Sequence, residues 1–208
     1  MRNNFEQIST LLDFSEPNTF YFVQILKRRK ENPEMQTGVR VINNYYIYSH
    51  EDLTKLRDKI MEDCTKHNAR AYINPNRLDS EKIAMYSMKI SLDYILQKDY
   101  KAVRNAYATA CGSHHSESAK RWIVDIDQEF LEKKNVIRHL VETLLARTGK
   151  KEYSILAEIP TKSGVHLISN PFNLSEFRKG IEDLAPYEND PLRKIDVQKN
   201  SPTVLYIP

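Results

Sequence analysis

Cysteine is nearly missing from this chain: Cys64 and Cys111 are the only two. That excludes a Cys-rich structural zinc site and a disulfide framework, and a reducing, cytoplasmic setting is expected. Glycine is also scarce, with five residues and no long Ser/Gly/Pro tract, which leaves little room for a flexible linker. No apolar run reaches the roughly 18 residues of a membrane-spanning helix, and residues 1–12 lack the apolar core of a signal peptide. No membrane partner is expected. Neither sign of charge dominates, since 31 Lys and Arg oppose 28 Asp and Glu for a net +3. Composition alone therefore does not mark a nucleic-acid binder, and any positive surface must be local.

What is present suits a globular protein: 40% apolar and 28% charged residues in 208, enough for one substantial core. Residues 19–26 are rich in aromatic and β-branched types and read as a strand running into Lys27, Arg28, Arg29 and Lys30. Residues 31–38 form a polar connection. A second strand spans 39–48, bulged near Asn43 and Asn44, and Ser49 with Asp52 opens a helix carrying Leu53, Leu56, Ile60 and Cys64. A short strand at 69–73 precedes the breaker Asn74-Pro75-Asn76. Residues 80–110 are helical in period, with Ile83, Met88, Leu92, Ile95 and Leu96 on one apolar side and a break near Lys98. Residues 112–118 read as a polar loop. Beyond it come a strand ending at Asp127, a helix over 130–146 stopped by Gly149, strands at 153–159 and 165–168, a helix opened by Asn173 and Glu176, and two last strands near 195–197 and 204–207. This order favours an α+β fold with antiparallel or mixed sheet, and the second half resembles a split β-α-β unit repeated.

Four residues could carry chemistry. Asp125 and Asp127 follow the apolar run Trp122-Ile123-Val124, and residues two apart on a strand share a face about 6.5–7 Å apart. Two readings stay open: a solvated strand end, or a carboxylate pair held together by a divalent cation, as in phosphoryl and nucleotidyl transfer. His166 alternates with Val165 and Leu167, so it faces away from them. The preceding Thr161-Lys162-Ser163-Gly164 is a small-residue turn whose N–H groups, with Lys162 and His166, suit an anion such as a triphosphate. Asp196, between Ile195 and Val197, repeats the apolar–acid–apolar pattern and is a candidate third carboxylate.

Arg28 and Arg29 in the basic run are candidates for phosphate contacts on a template, or simply a solvated strand end. Arg70 shares a strand face with Tyr72, and Arg77 follows the turn, a basic and aromatic combination compatible with single-stranded nucleic acid. His114 and His115 invite a metal reading, but adjacent strand residues point to opposite faces.

Together, Trp122-Ile123-Val124-Asp125-Ile126-Asp127, then Gly164-Val165-His166, then Ile195-Asp196, resemble the archaeo-eukaryotic primase superfamily, whose primase-polymerase domains carry these motifs in this order. The resemblance covers residues 119–208 by motif and the N-terminal half by element order only. It implies a single primase-polymerase-like domain, with an N-terminal α/β half over 1–118 and a catalytic half over 119–208 built like an RNA-recognition sheet. It further implies that Asp125, Asp127 and Asp196 bind Mg²⁺ or Mn²⁺ and act catalytically. Lys162, Ser163, Gly164 and His166 would bind the nucleotide. Nucleoside triphosphates and a single-stranded DNA or RNA template would be partners, with a replication helicase as a further one. The expected activity is template-directed nucleotidyl transfer. The alternatives are a catalytically silent single-strand-binding module and a metal-dependent nuclease.

Overall fold

The computed structural model describes residues 1–114, 120–185, 187 and 189–208. Of the segment 112–118, expected as a polar loop, Gly112 and Ser113 instead end a helix, and the rest beyond His114, with His115, lies outside the described residues. The architecture is α+β, built on two antiparallel sheets.

The first sheet follows from the aromatic and β-branched segments. β1 (Arg2–Asn3), β2 (Thr19–Arg28), β3 (Val39–Ile47), β4 (Arg70–Ile73), β5 (Leu78–Asp79) and β10 (Thr203–Ile207) run in the order β1-β10-β4-β2-β3, with β5 on the start of β2. The β2–β3 register shifts between Ile25 and Leu26, opposite Asn43 and Val41. That one-residue bulge is what the two asparagines in the strand signalled. α1 (Phe5–Ser9) and α2 (His50–His67) cover one face, where Leu53, Ile60 and Cys64 meet Tyr21, Val23, Ile25 and Leu205. The Ser49 side chain accepts the N–H of Asp52 and caps α2 at its start, while Asn68 ends it in the left-handed region at φ 46°. The last strand belongs to this N-terminal sheet, so a division at 118/119 does not separate the two sheets: Leu205 and Tyr206 fill the first core.

The opposite face of β2 presents Phe20 and Phe22 to α3 (Ser80–Leu96) and α4 (Ala106–Ser113). α3 departs from expectation. Only Ile83 is buried in it, whereas Met88, Leu92 and Leu96 are 67%, 60% and 80% exposed. The periodicity correctly marks a helix but not what covers its apolar side.

The second sheet is β6 (Trp122–Asp127), β7 (Ile155–Pro160), β8 (Gly164–Ser169) and β9 (Val197–Gln198), ordered β7-β8-β6-β9. α5 (Lys134–Arg147) follows β6 through a 3₁₀ turn, Gln128–Lys133, and α6 (Leu174–Leu184) follows β8. This is a split β-α-β unit repeated. Val124, Ile126, Val165 and Leu167 bury themselves against both helices, and Asn173 caps α6 by accepting from Ser175 and Glu176. The other face of this sheet turns to the first sheet, where Ile159 and Ile168 join its core. Asn76 ties the two together, its Nδ2 donating to the carbonyls of Arg121 (3.0 Å) and Lys199 (3.2 Å). No helix among the described residues is long and apolar enough to cross a membrane.

Behind the first sheet, the carboxylate of Asp63 accepts from the Tyr45 hydroxyl (2.6 Å) and Asn43 Nδ2 (3.0 Å) and pairs with Lys59 (3.2 Å). Burial alone would raise its pKa. The hydrogen bonds from Tyr45, Asn43 and Lys59 and the lysine's charge outweigh this and hold it below the usual 3.8. A lowered carboxylate contributes stability that is present above 3.8 and is lost as pH falls through the folded value. Asp63→Ala is expected to cost about 1–3 kcal/mol in urea unfolding at pH 7, because buried donors lose their acceptor. The gap to wild type should narrow below pH 3.8. Cys64 and Cys111 are both buried, which pushes each thiol up to about 12 and keeps it neutral and inert at physiological pH.

Candidate functional site

Strand alternation sends Asp125 and Asp127 to the face of β6 opposite its helices, toward the first sheet. On β8 the same alternation buries Val165 and Leu167 and leaves His166 opposite Asp125, with Gly164 opposite Asp127. A cleft of about 590 Å³ lies between the sheets. From the second sheet it is lined by Asp125, Asp127, His166 and Gln198, and by Thr161, Lys162 and Ser163 of the β7–β8 turn. Arg28, Lys30, Glu31, Arg70 and Tyr72 line it from the first. Residues separated by about a hundred positions in sequence thus share one hollow.

His166 is buried, and both ring nitrogens are engaged. Nε2 lies 3.3 Å from Asp125 Oδ1 and Nδ1 lies 2.9 Å from Thr203 Oγ1 on β10. With Nε2–H donating to Asp125, Nδ1 accepts from the Thr203 hydroxyl; in the imidazolium both nitrogens donate. The ring thus touches Asp125 on its own sheet and Thr203 on the other, linking the two sheets at the cleft. Gln198 Nε2 holds the other carboxylate oxygen of Asp125 at 3.4 Å. Asp127 is exposed, has no such partner among the described residues, and is the freer ligand.

Gly164 has a second reason to be glycine. A Cβ there would lie 2.2 Å from the Ile126 carbonyl oxygen and 3.0 Å from Asp127 Cα, so the close approach of β8 to β6 requires it. The turn behind it closes through the Thr161 N–H to the Gly164 carbonyl at 3.0 Å.

The opposite wall is basic and braced. Arg70 pairs with Glu31 and reaches the Tyr72 hydroxyl at 3.4 Å, and Lys162 approaches Glu31 at 3.7 Å from across the cleft. Arg28 donates to the Tyr72 hydroxyl at 3.2 Å. That hydrogen bond is the main reason its guanidinium is held above its ordinary value, a fixed cation. Arg28 feels the charge of Glu31, but neither Arg28 nor Lys30 forms an ion pair with a carboxylate among the described residues. They remain available to an anion.

Two basic candidates lie elsewhere. Arg77 is bound to Asp13 (3.0 Å) and Glu16 at the start of β2, and Arg29 is exposed and does not line the cleft. Asp196 is not brought in either. The 3₁₀ turn Pro191–Lys194 delays the start of β9 to Val197, and Asp196 lines a separate hollow beside α6 with Arg178, Glu182 and Arg193. Its carbonyl accepts from Asp125 N–H at 3.4 Å, but its carboxylate is not part of the cleft lining. His114, just past the end of α4, lies tilted beside Tyr86, ring centroids 6.3 Å apart, rather than in the cleft.

Among the described residues, no three His, Cys, Asp or Glu side chains are grouped to hold a metal ion. The set that is present, Asp125 and Asp127, has the chemistry by which Mg²⁺ is held through one or two carboxylates together with water and substrate phosphates. It fits a hard cation shared with a ligand and does not fit an all-protein cage. Glu31, Gln198 and Thr203 were not picked out for the site from sequence, whereas Tyr72 was, beside Arg70 on its strand face.

Compared with known proteins, the chain matches no family model, no curated protein and no solved structure.

Proposed function

We propose that the chain is a metal-dependent nucleotidyltransferase of the primase-polymerase kind, working on nucleoside triphosphates and a nucleic-acid strand. One observation carries this reading: the carboxylates of Asp125 and Asp127 and the Thr161–Lys162–Ser163 turn face Arg28, Lys30 and Arg70 across a single cleft. Carboxylates facing cations, two of which (Arg28 and Lys30) form no ion pair among the described residues, are what a triphosphate with its counter-ion requires. The two antiparallel sheets and the split β-α-β order agree with a primase-polymerase fold.

In this reading Asp125 and Asp127 hold one Mg²⁺ or Mn²⁺. That ion would polarise phosphoryl oxygens and lower the pKa of the attacking hydroxyl. His166 and Gln198 fix the rotamer of Asp125, so the carboxylate is positioned before substrate arrives. Arg28 and Lys30, with the N–H groups of Lys162 and Ser163, neutralise the phosphate tail and the departing pyrophosphate. Glu31 keeps Arg70 and Lys162 in place on opposite walls. Catalysis would then come from positioning and electrostatics.

The test is incorporation of a labelled nucleotide into a primed template with Mn²⁺, read with pyrophosphate release. Coupled incorporation and release are expected. Nucleotides freed from labelled DNA without pyrophosphate would replace this reading with a nuclease. Single-strand binding without Mn²⁺ or nucleotide binding would replace it with a silent module.

A further inference from the structure

A second hollow, of about 880 Å³, lies between β3 and α4 on the same face of the first sheet as the cleft. Its sheet wall carries Gln24, Asn44 and Tyr46, and its helix wall carries Asn105, Ala108, Thr109 and Gly112. Asn105, just before α4, and Ala108, Thr109 and Gly112 within it stand at i, i+3, i+4 and i+7, so short side chains line one face of this segment and leave the space open. A Cβ built on Gly112 would touch nothing within 4 Å.

The lining has a one-sided charge. Arg40 and Arg104 contribute guanidinium groups, both exposed, and no carboxylate lines the hollow among the described residues. Neither arginine has an ion-pair partner among the described residues. Between them sit amides with unused capacity. Gln24 Nε2 donates to Asn44 Oδ1 at 3.2 Å, which leaves the Gln24 carbonyl and the Asn44 amino group for a ligand. Tyr46 is half-buried, stacked on Phe22 with ring centroids 5.5 Å apart. Cations at the edges, paired donors and acceptors between them, and an aromatic side chain are what a strand of nucleotides requires; a simple polyanion would need only the cations.

Continuity with the cleft decides between a strand and a single nucleotide. Val204 on β10 is paired with Tyr72 on β4, Tyr72 with Gln24 on β2, and Gln24 with Asn44 on β3. Directly opposed residues share a face, so these four form one row across four strands. Val204 and Tyr72 line the cleft, and Gln24 and Asn44 line the second hollow. The two hollows therefore adjoin across the Tyr72–Gln24 pair. Three strand spacings make the row about 14 Å long. That is the rise of about four stacked nucleotides.

We propose that this row and the β3–α4 groove form the track that a single-stranded template follows out of the cleft, with Arg40 and Arg104 on its phosphates and Gln24 and Asn44 on base edges. The proposal rests on the nucleotidyltransferase reading for its template but not for its binding test. The probe is a 5′-fluorescein oligothymidylate of about 12 nucleotides, titrated with full-length protein across a salt series. The variant is Arg40→Glu with Arg104→Glu, both on exposed positions outside the cleft. It should bind about tenfold or more weakly and lose about 1.4 from the slope of log affinity against log salt, about 0.7 for each phosphate contact on a single strand.

Unchanged oligonucleotide affinity in the reversed variant overturns the track. So does a wild type that binds no oligonucleotide at low salt, or thymidine monophosphate competing as well as the oligomer. A wild type that binds, weakens on reversal and yet incorporates no nucleotide keeps the track and removes the nucleotidyltransferase reading.

Discussion

Asp127→Ala is expected to reduce metal-dependent nucleotide incorporation by about 10²–10³-fold or more, the scale of losing one preorganised electrostatic group, without changing the unfolding midpoint. Asp127 is exposed and has no hydrogen-bond or ion-pair partner among the described residues, so its removal orphans nothing. Asp125→Ala should lose as much activity and also destabilise. Its carboxylate is the partner of His166 Nε2 and Gln198 Nε2, and His166 is buried. A buried donor left without an acceptor costs about 1–3 kcal/mol. The contrast between the two variants is diagnostic: incorporation assays should not distinguish them, whereas urea unfolding should. Full activity in both would remove Asp125 and Asp127 from the chemistry altogether.

Gly164→Ala should be the most damaging single methyl group in the second sheet. The nearest neighbours of the added carbon, Ile126 O at 2.2 Å and Asp127 Cα at 3.0 Å, are backbone atoms, so no rotamer change relieves the clash. The strands must separate where the second carboxylate leaves β6. Overpacking of this kind costs about 1–3 kcal/mol and sometimes more. Because Asp127 is the residue displaced, nucleotide incorporation should fall with stability. Ser163→Ala, one position earlier on the exposed turn, is the comparator and should leave stability unchanged. If Gly164→Ala unfolds at the wild-type urea concentration, the tight β6–β8 approach is not a constraint on the site.

Both predictions depend on a site that local pattern reveals only in part. The period of two along β6 and β8 is enough to set Asp125, Asp127 and His166 on the face away from Val124, Val165 and Leu167, because alternation needs no knowledge of partners. Ser49 and Asn173 are likewise readable as helix starts, since a cap is satisfied within three residues. α3 marks the limit of such reading. Its apolar repeat predicts a helix correctly, but whether Met88 and Leu92 are covered depends on neighbours that the repeat does not encode.

Asp196 shows the same limit within the site. Its apolar–acid–apolar setting matches a strand, but a short 3₁₀ turn just before it moves the first paired residue to Val197 and leaves its carboxylate outside the cleft. Arg77 looks like a nucleic-acid contact until Asp13 and Glu16, more than sixty positions away, are found on its guanidinium. Glu31 sits in a segment that reads as plain polar loop, yet it braces Arg70 and Lys162 from both walls.

The sequence by itself determined the main strands and helices, the caps of α2 and α6, and that Asp125, Asp127 and His166 stand on one strand face each, because these follow from interactions a few residues long; the short β1, α1 and β5 and the late start of β9 left no such local mark. Tertiary structure alone decided which of those faces meet. The return of β10 to the first sheet, the Thr203–His166 contact and the Tyr72–Gln24 junction depend on register between segments far apart in the chain. Register of that kind is set by the packing of whole cores, and no local period records it.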